Sequence, residues 1–231
     1  MLWEKELAKG ATNAVAADED GNIFLQLSEG TFAGNEKLLM FDSDGNKKWE
    51  ISIDNFRFFN YPSYYKGKIY SYGQHGSGND KRSFIYVHDT TGNEKLALEF
   101  PITIRSLSVD NNENMYITAY NTGVAEEKTG VFKLDAKGEI IWKLYFQAQS
   151  VTPVLISENL TAFLGITNEG PGLFFLDVLN GRVSKALALG NNSSISSSYA
   201  VIRGPEILFP KAYEYGYVRV TSTAIERIIP F

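Results

Sequence analysis

An acid–glycine turn recurs along this chain at a nearly constant period, flanked each time by short apolar runs. That recurrence predicts an all-β fold, a β-propeller of about five four-stranded antiparallel blades. Three observations carry the prediction: the turn motif, a second motif running in step with it, and strand-like segments without helical periodicity.

The turn motif is D-x-x-G-x-x-x-W. It is complete in "FDSDGNKKW" (Asp42, Gly45, Trp49) and in "LDAKGEIIW" (Asp135, Gly138, Trp142). "HDTTGNEKL" keeps Asp89 and Gly92 and places Leu96 at the tryptophan position. "LDVLNGRVSKA" keeps Asp177 and Gly181, one residue further apart, and "RVTSTAIERII" over 219–229 is a degenerate fifth copy. The aspartates at 42, 89, 135 and 177 are spaced by 47, 46 and 42 residues.

The second motif has the same period. "AVAADEDGNIF" (14–24), "NYPSYYKGKIY" (60–70) and "SLSVDNNENMY" (106–116) follow one another at intervals of 46 residues. Looser copies are "TPVLISENLTA" (152–162) and "SYAVIRGPEIL" (198–208). Two independent motifs on one period define five repeat units.

Each unit reads as four strands, A to D. In the first unit these fall near 13–17, 23–26, 37–41 and 48–53. Asp18 and Gly21 turn the chain between A and B, and Asp42 and Gly45 between C and D. The C strands are almost continuously apolar, as in "LLMF", "FIYV" and "LFFL". The D strands alternate: Trp49, Ile51 and Ile53 against Glu50 and Ser52. A middle strand covered on both faces needs no alternation, whereas an outer strand half in water does. Stacked four-stranded sheets supply both environments. Within the motif, Asp accepts hydrogen bonds from turn amides and Gly takes positive φ. After the reversal, Trp falls on the face that meets the next blade, where its ring is buried and its N–H can be bonded.

The outer strand of the last unit has two candidates. Residues 2–7 ("LWEKEL") read as another D strand and are favoured to close the fifth sheet, leaving the tail "AIERIIPF" (224–231) peripheral. Closure of this kind removes an open edge.

These repeats resemble those of the PQQ-like β-propeller superfamily, whose blades carry an Asp–Gly turn followed by a Trp that docks between blades. The resemblance covers essentially the whole chain, and its motifs are structural. It implies a propeller, with Asp42, Gly45, Trp49, Asp89, Gly92, Asp135, Gly138, Trp142, Asp177 and Gly181 as blade-building residues. The quinoprotein dehydrogenases of that superfamily have eight blades and a site with a vicinal disulfide and calcium. Five units and no cysteine depart from that pattern. The expectation is a non-quinoprotein member with no cofactor.

Composition narrows the function further. Hydrophobic residues make up 44% and aromatics 13%, enough for a core across all 231 residues read as one propeller domain, either complete or part of a larger protein. The net charge is −5 and no basic run occurs, which argues against nucleic-acid binding. With no cysteine there is no disulfide, thiolate metal site or cysteine nucleophile. No apolar run reaches the length of a membrane helix, so membrane insertion is not expected. "MLWEKELAKG" is charged and does not read as a signal peptide. The compartment stays open, a processed secreted or cell-surface bacterial protein being one reading.

"DEDGN" and "DSDGN" resemble calcium loops, but the second has its glycine too early for an EF-hand, and hairpin turns explain both, so no metal is expected. The regular motifs occupy the A–B and C–D connections. Variation concentrates in the B–C and D–A connections, where recognition sits on rigid scaffolds. Five residues there are the candidates for a ligand or partner site: Phe58, Tyr61, Arg105 and Gln149 from D–A segments, and His75 from the glycine-rich B–C loop "GQHGSGND". Core packing of the aromatics, an acid partner for Arg105 and a plain hairpin around His75 would explain the same residues without a ligand. No catalytic residue is assigned. The leading expectation is a non-catalytic binding or scaffold propeller for a protein, peptide or glycan. One alternative is a propeller enzyme of lyase, hydrolase or sulfotransferase type acting at the channel mouth. The other is an incomplete propeller lobe completed by a partner chain.

Overall fold

The computed structural model describes residues 4, 11–29, 35–54, 56–58, 62–75, 82–120, 129–148, 150–157, 160–189, 201–203, 206–210, 217–220 and 225–228. Among them every regular element is a strand. The chain divides into two compact units, residues 1–104 and 105–231.

The first unit holds two antiparallel sheets. Sheet 1 runs β1 (Ala11–Ala17), β2 (Ile23–Glu29), β3 (Asn35–Phe41) and β4 (Lys47–Asp54), paired in sequence order. Sheet 2 holds β5 (Phe56–Phe58), β6 (Ser63–Tyr65), β7 (Lys68–His75), β8 (Arg82–Asp89) and β9 (Glu94–Phe100). Here β5 and β6 both pair with β7, so they are one first strand in two pieces. Pro62 lies between them, and proline has no N–H to give the ladder.

The second unit holds three sheets. Sheet 3 is β10 (Thr103–Val109), whose first two residues precede the boundary, then β11 (Met115–Tyr120), β12 (Thr129–Leu134) and β13 (Ile140–Phe146). Sheet 4 is β14 (Ser150–Val151), β15 (Leu155–Ser157), β16 (Leu160–Thr167), β17 (Gly170–Leu176) and β18 (Val183–Ala188). Its first strand is split in the same way around Pro153. Sheet 5 is β19 (Val201–Arg203), β20 (Glu206–Pro210), β21 (Tyr217–Val220) and β22 (Ile225–Ile228).

Sheet 5 corrects one expectation. Its outer strand is β22, paired with β21 from Tyr217↔Ile228 to Val220↔Ile225, so the C-terminal segment is not peripheral. A C–D hairpin of near neighbours closes at little loop entropy, whereas residues 2–7 would have to return across the length of the chain. Of residues 2–7, only Glu4 is among the described residues, and it is not in a strand.

The Asp42 turn shows how the aspartate hairpins are built. Asp42 N–H donates to Asn46 O at 3.0 Å, and Gly45 N–H donates to Asp42 O at 2.9 Å. The Asp42 carboxylate accepts from Asp44 N, Asn46 N and Asn46 Nδ2. Gly45 sits at φ 83°. This is a type I turn closed by a bulge, and the register shifts at Met40/Phe41 accordingly. Asp18, Asp89 and Asp135 hold equivalent turns.

The sheets within each unit pack through apolar faces. Phe24, Leu38 and Met40 of sheet 1 cluster with Ile69 of sheet 2, joined by half-buried Trp49, Tyr64, Phe84 and Tyr86. Tyr116, Val131 and Trp142 of sheet 3 cluster with Phe163 and Leu176 of sheet 4. Ala162, Leu164 and Leu173 of sheet 4 cluster with Ile207 of sheet 5.

Tryptophan joins the sheets by a directed bond as well. Trp49 Nε1 donates 2.9 Å to Thr90 O, in the C–D turn of sheet 2. Trp142 Nε1 donates 2.9 Å to Val178 O, in the C–D turn of sheet 4. The turn glycines lie beneath these rings: a Cβ on Gly92 would be 3.1 Å from Trp49, and one on Gly181 would be 2.5 Å from Trp142. Glycine here allows positive φ and also leaves room for an indole from the preceding sheet.

Candidate functional site

Each sheet has one end made of A–B and C–D turns and another end made of B–C and D–A connections. Three of the five candidate residues are placed, and two correct the expectation. Phe58 and Arg105 stand in strands β5 and β10 rather than in D–A connections, because the first strands of sheets 2 and 3 begin earlier than the turn pattern suggests, while His75 ends β7. Tyr61 and Gln149 lie outside the described residues. Phe58 ends β5 opposite Gly73, and Phe56 lies opposite His75, so one ladder carries Phe56, Phe58 and His75.

His75 ends β7 and is half-buried. Its ring meets Phe84 edge-on, with centroids 4.9 Å apart and planes at 73°. Opposite it on β8 is Arg82, exposed and 3.7 Å from Glu99. The neighbouring Gln74 is buried, and its Nε2 donates to Thr103 Oγ1 at 3.2 Å. The end of β7 is therefore a histidine backed by an aromatic ring and flanked by an ion pair.

Arg105 belongs to β10 in the second unit and is exposed. Its guanidinium lies over the ring of Tyr120, 4.8 Å from the centroid. Tyr120 is the last residue of β11, at the mouth of the B–C connection. Arg105 stacked on Tyr120 is thus an exposed cation held by an aromatic face, an arrangement that contributes about 0.5–1 kcal/mol at such sites.

Tyr120, Phe84 and Arg82 were not among the sequence candidates. Their signal lies in register: Arg82 begins β8, Phe84 stands two residues further along it, and Tyr120 ends β11, each beside the variable loop of its own repeat. An aspartate turn, by contrast, leaves little chemistry to spare. Lys95 bonds Asp89 at 2.7 Å and, with the Thr91 hydroxyl and the Asn93 amide, holds that carboxyl well below the usual range. Hydrogen bonds from Asn46 lower Asp42 similarly. Among the described residues, no group of three or more His, Asp or Glu is placed to hold a metal ion. No described helix is long and apolar enough to cross a membrane.

No known family profile and no curated protein matches the chain. Solved structures do match. The β-propeller domain of Cps50 (Swd1) from Myceliophthora thermophila aligns over 94% of this chain and 72% of its own, with TM-score 0.61 and 9% identity. A chain of the nidogen/laminin complex aligns over 96% and 81%, with TM-score 0.58 and 11% identity. The PQQ-bound aldose sugar dehydrogenase of Streptomyces coelicolor aligns over 96% and 82%, with TM-score 0.54 and 7% identity.

The fold is a β-propeller. At these identities the likeness is one of fold, and the blades are the five sheets described above. The three similar proteins span a propeller domain, a protein–protein complex and a cofactor-bound enzyme, so the fold admits binding and catalysis alike.

Proposed function

We propose that this propeller is a binding or scaffold module that presents the B–C and D–A ends of its blades to a protein partner. The observation that carries the reading is Arg105 laid over Tyr120 at the open end of blade 3. Arg and Tyr dominate interface hot spots, and a guanidinium already ordered on a ring loses little freedom when a partner covers it. His75 against Phe84, with Arg82 beside it, gives blade 2 a similar aromatic-backed polar end. The similar chain from the nidogen/laminin complex supports a protein partner ahead of a peptide or glycan.

Residues 1–231 are read as one propeller domain. Membership of the PQQ-like superfamily, as a non-quinoprotein member, is part of the same proposal. It is supported by the indole bonds of Trp49 and Trp142 to the turns of the following blades.

The test is affinity capture from the source organism with wild-type chain and with the Arg105→Ala, Tyr120→Ala double variant. A partner that binds the purified wild type directly and loses at least tenfold affinity with the double variant is the expected result. Equal affinity for both, with both chains folded, overturns the assignment of this end.

A further inference from the structure

At the other end of the second unit, blades 3 and 4 line a pocket of about 160 Å³ that opens to solvent. Its walls are of two kinds. Val109, Ile156 and Val178 are apolar, while Asp110, Ser157 and Thr161 are polar, with Tyr116 between them. The volume matches that of a cavity of about 150 Å³ that accepts benzene, and exceeds about tenfold the ~10–15 Å³ that one water needs.

Thr161 sets this cavity apart from the turns around it. Its residue is only 3% exposed, and its Oγ1 has no hydrogen-bond partner among the described residues. Native proteins leave few buried hydroxyls unmatched, and those that remain point to a missing water or ligand.

The charged groups nearby are already engaged. Asp110 accepts from Asn112 N at 2.8 Å, Asn114 N at 2.9 Å, Asn114 Nδ2 at 2.8 Å and the Tyr116 hydroxyl at 3.3 Å. Lys133, behind Tyr116, donates from Nζ to Val178 O at 3.2 Å and lies 5.3 Å from the Tyr116 ring centroid. With the carboxylate fully bonded and the ammonium turned to a carbonyl, the cavity favours neither an anion nor a cation. What it offers is an apolar wall, hydroxyls, the neutral residues Asn111 and Asn112, and one orphaned hydrogen-bonding group at Thr161.

We infer that this cavity is a binding site for a neutral, ring-shaped polyol of pyranose or cyclitol size. The C–H face of such a ring suits Val109, Ile156 and Val178, and its hydroxyl edge both donates to and accepts from Thr161 and Ser157. The site lies at the turn end of the blades and is independent of the partner surface proposed above.

The test is an amide-resolved NMR titration of the full chain with D-glucose and with myo-inositol, using glucosamine and glucuronate as charged controls. Small ligands of this kind bind at about the millimolar level. The expected result is saturable shifts at Asn112, Ser157 and Thr161 with at least one neutral probe, and weaker binding of both charged controls. Thr161→Val, which keeps shape and strand preference, should lose at least fivefold affinity with an otherwise unchanged spectrum. Ser157→Ala serves as the second variant and should lose at least twofold. Saturation by neither neutral probe would show a cavity holding water alone and overturn the proposal. Tighter binding of a charged control, or undiminished affinity in both variants, would overturn it as well.

Discussion

The ring of Trp142 occupies the space above Gly181, so that a Cβ built on that glycine would lie 2.5 Å from two indole carbons. The same indole donates to Val178 in the same turn. One residue of blade 3 therefore clamps the C–D turn of blade 4 by a hydrogen bond and by shape. Gly181→Ala should cost about 2–4 kcal/mol, the sum of a left-handed alanine and an overpacked ring. Gly67→Ala provides the comparison: φ is +76° there too, yet nothing lies within 4 Å. Only the backbone penalty of about 1–2 kcal/mol applies. Urea unfolding of both variants checks the difference, and equal losses would remove the clamp.

Glu113 stands at the position of the A–B turn of blade 3 where other turns carry glycine. It adopts φ 63°, and its N–H donates to Asp110 O at 3.0 Å. A left-handed conformation costs a side chain about 1–2 kcal/mol, and part of that is returned by the greater unfolded-state entropy of glycine. Glu113→Gly should therefore stabilise the chain by about 0.5–1 kcal/mol, read as a rise in Tm. A lower Tm would show that the Glu113 side chain contributes more than its backbone costs.

Gln26 is 3% exposed, and neither its Oε1 nor its Nε2 has a hydrogen-bond partner among the described residues. It shares a strand face with Phe24, which packs toward Ile69 of blade 2. Replacing a buried, unsatisfied amide by an apolar side chain of similar volume is neutral or favourable. Gln26→Met should raise stability by about 1 kcal/mol. A loss of 1 kcal/mol or more by the same denaturation assay would show that water satisfies the amide.

The C–D turn of blade 2 makes stability depend on pH in two windows. His88 is 3% exposed, and burial pushes its pKa down. Below pH 6.5 the unfolded histidine takes up a proton that the folded one resists, so stability falls as pH drops through this range. His88→Phe should flatten that slope. Asp89 is lowered chiefly by Lys95, so its contribution is intact above pH 3.8 and is lost as pH falls below it toward the folded pKa. Asp89→Asn should remove the second loss. Midpoints of thermal unfolding followed from pH 7 to about pH 2 separate the two groups; slopes unaltered by either substitution would place the titrating groups elsewhere.

The turns were the most legible part of the sequence because their chemistry is local. Asp42, Asn46 and Gly45 close a hairpin from within five residues, and the pattern repeats as D-x-x-G. Glu113 shows the reverse. "DNNEN" occupies the place of "DEDGN", and the backbone keeps the same turn despite losing its glycine, so pairing of the flanking strands outweighs the residue's own preference. The split first strands had a visible signal in Pro62 and Pro153, which block ladder bonds inside what otherwise reads as one strand.

The candidate site was less legible. Arg105 was visible as a cation in a variable segment, but its support, Tyr120, comes from the neighbouring strand and depends on register. The outer strand of blade 5 shows the same limit. Residues 2–7 and 224–231 both carry strand patterns, and pairing with β21 selects Ile225–Ile228.

The sequence by itself determined the period, the strand count per repeat and the aspartate–glycine turns, because these arise from contacts a few residues apart. Tertiary structure decided which ring lies over Gly92 and Gly181, which aromatic carries Arg105, and which buried hydroxyl lines the pocket between blades 3 and 4. Those outcomes depend on what packs opposite a side chain across tens of residues of intervening chain. A one-dimensional pattern states that a face is buried, but the partner on that face is set by register and sheet packing.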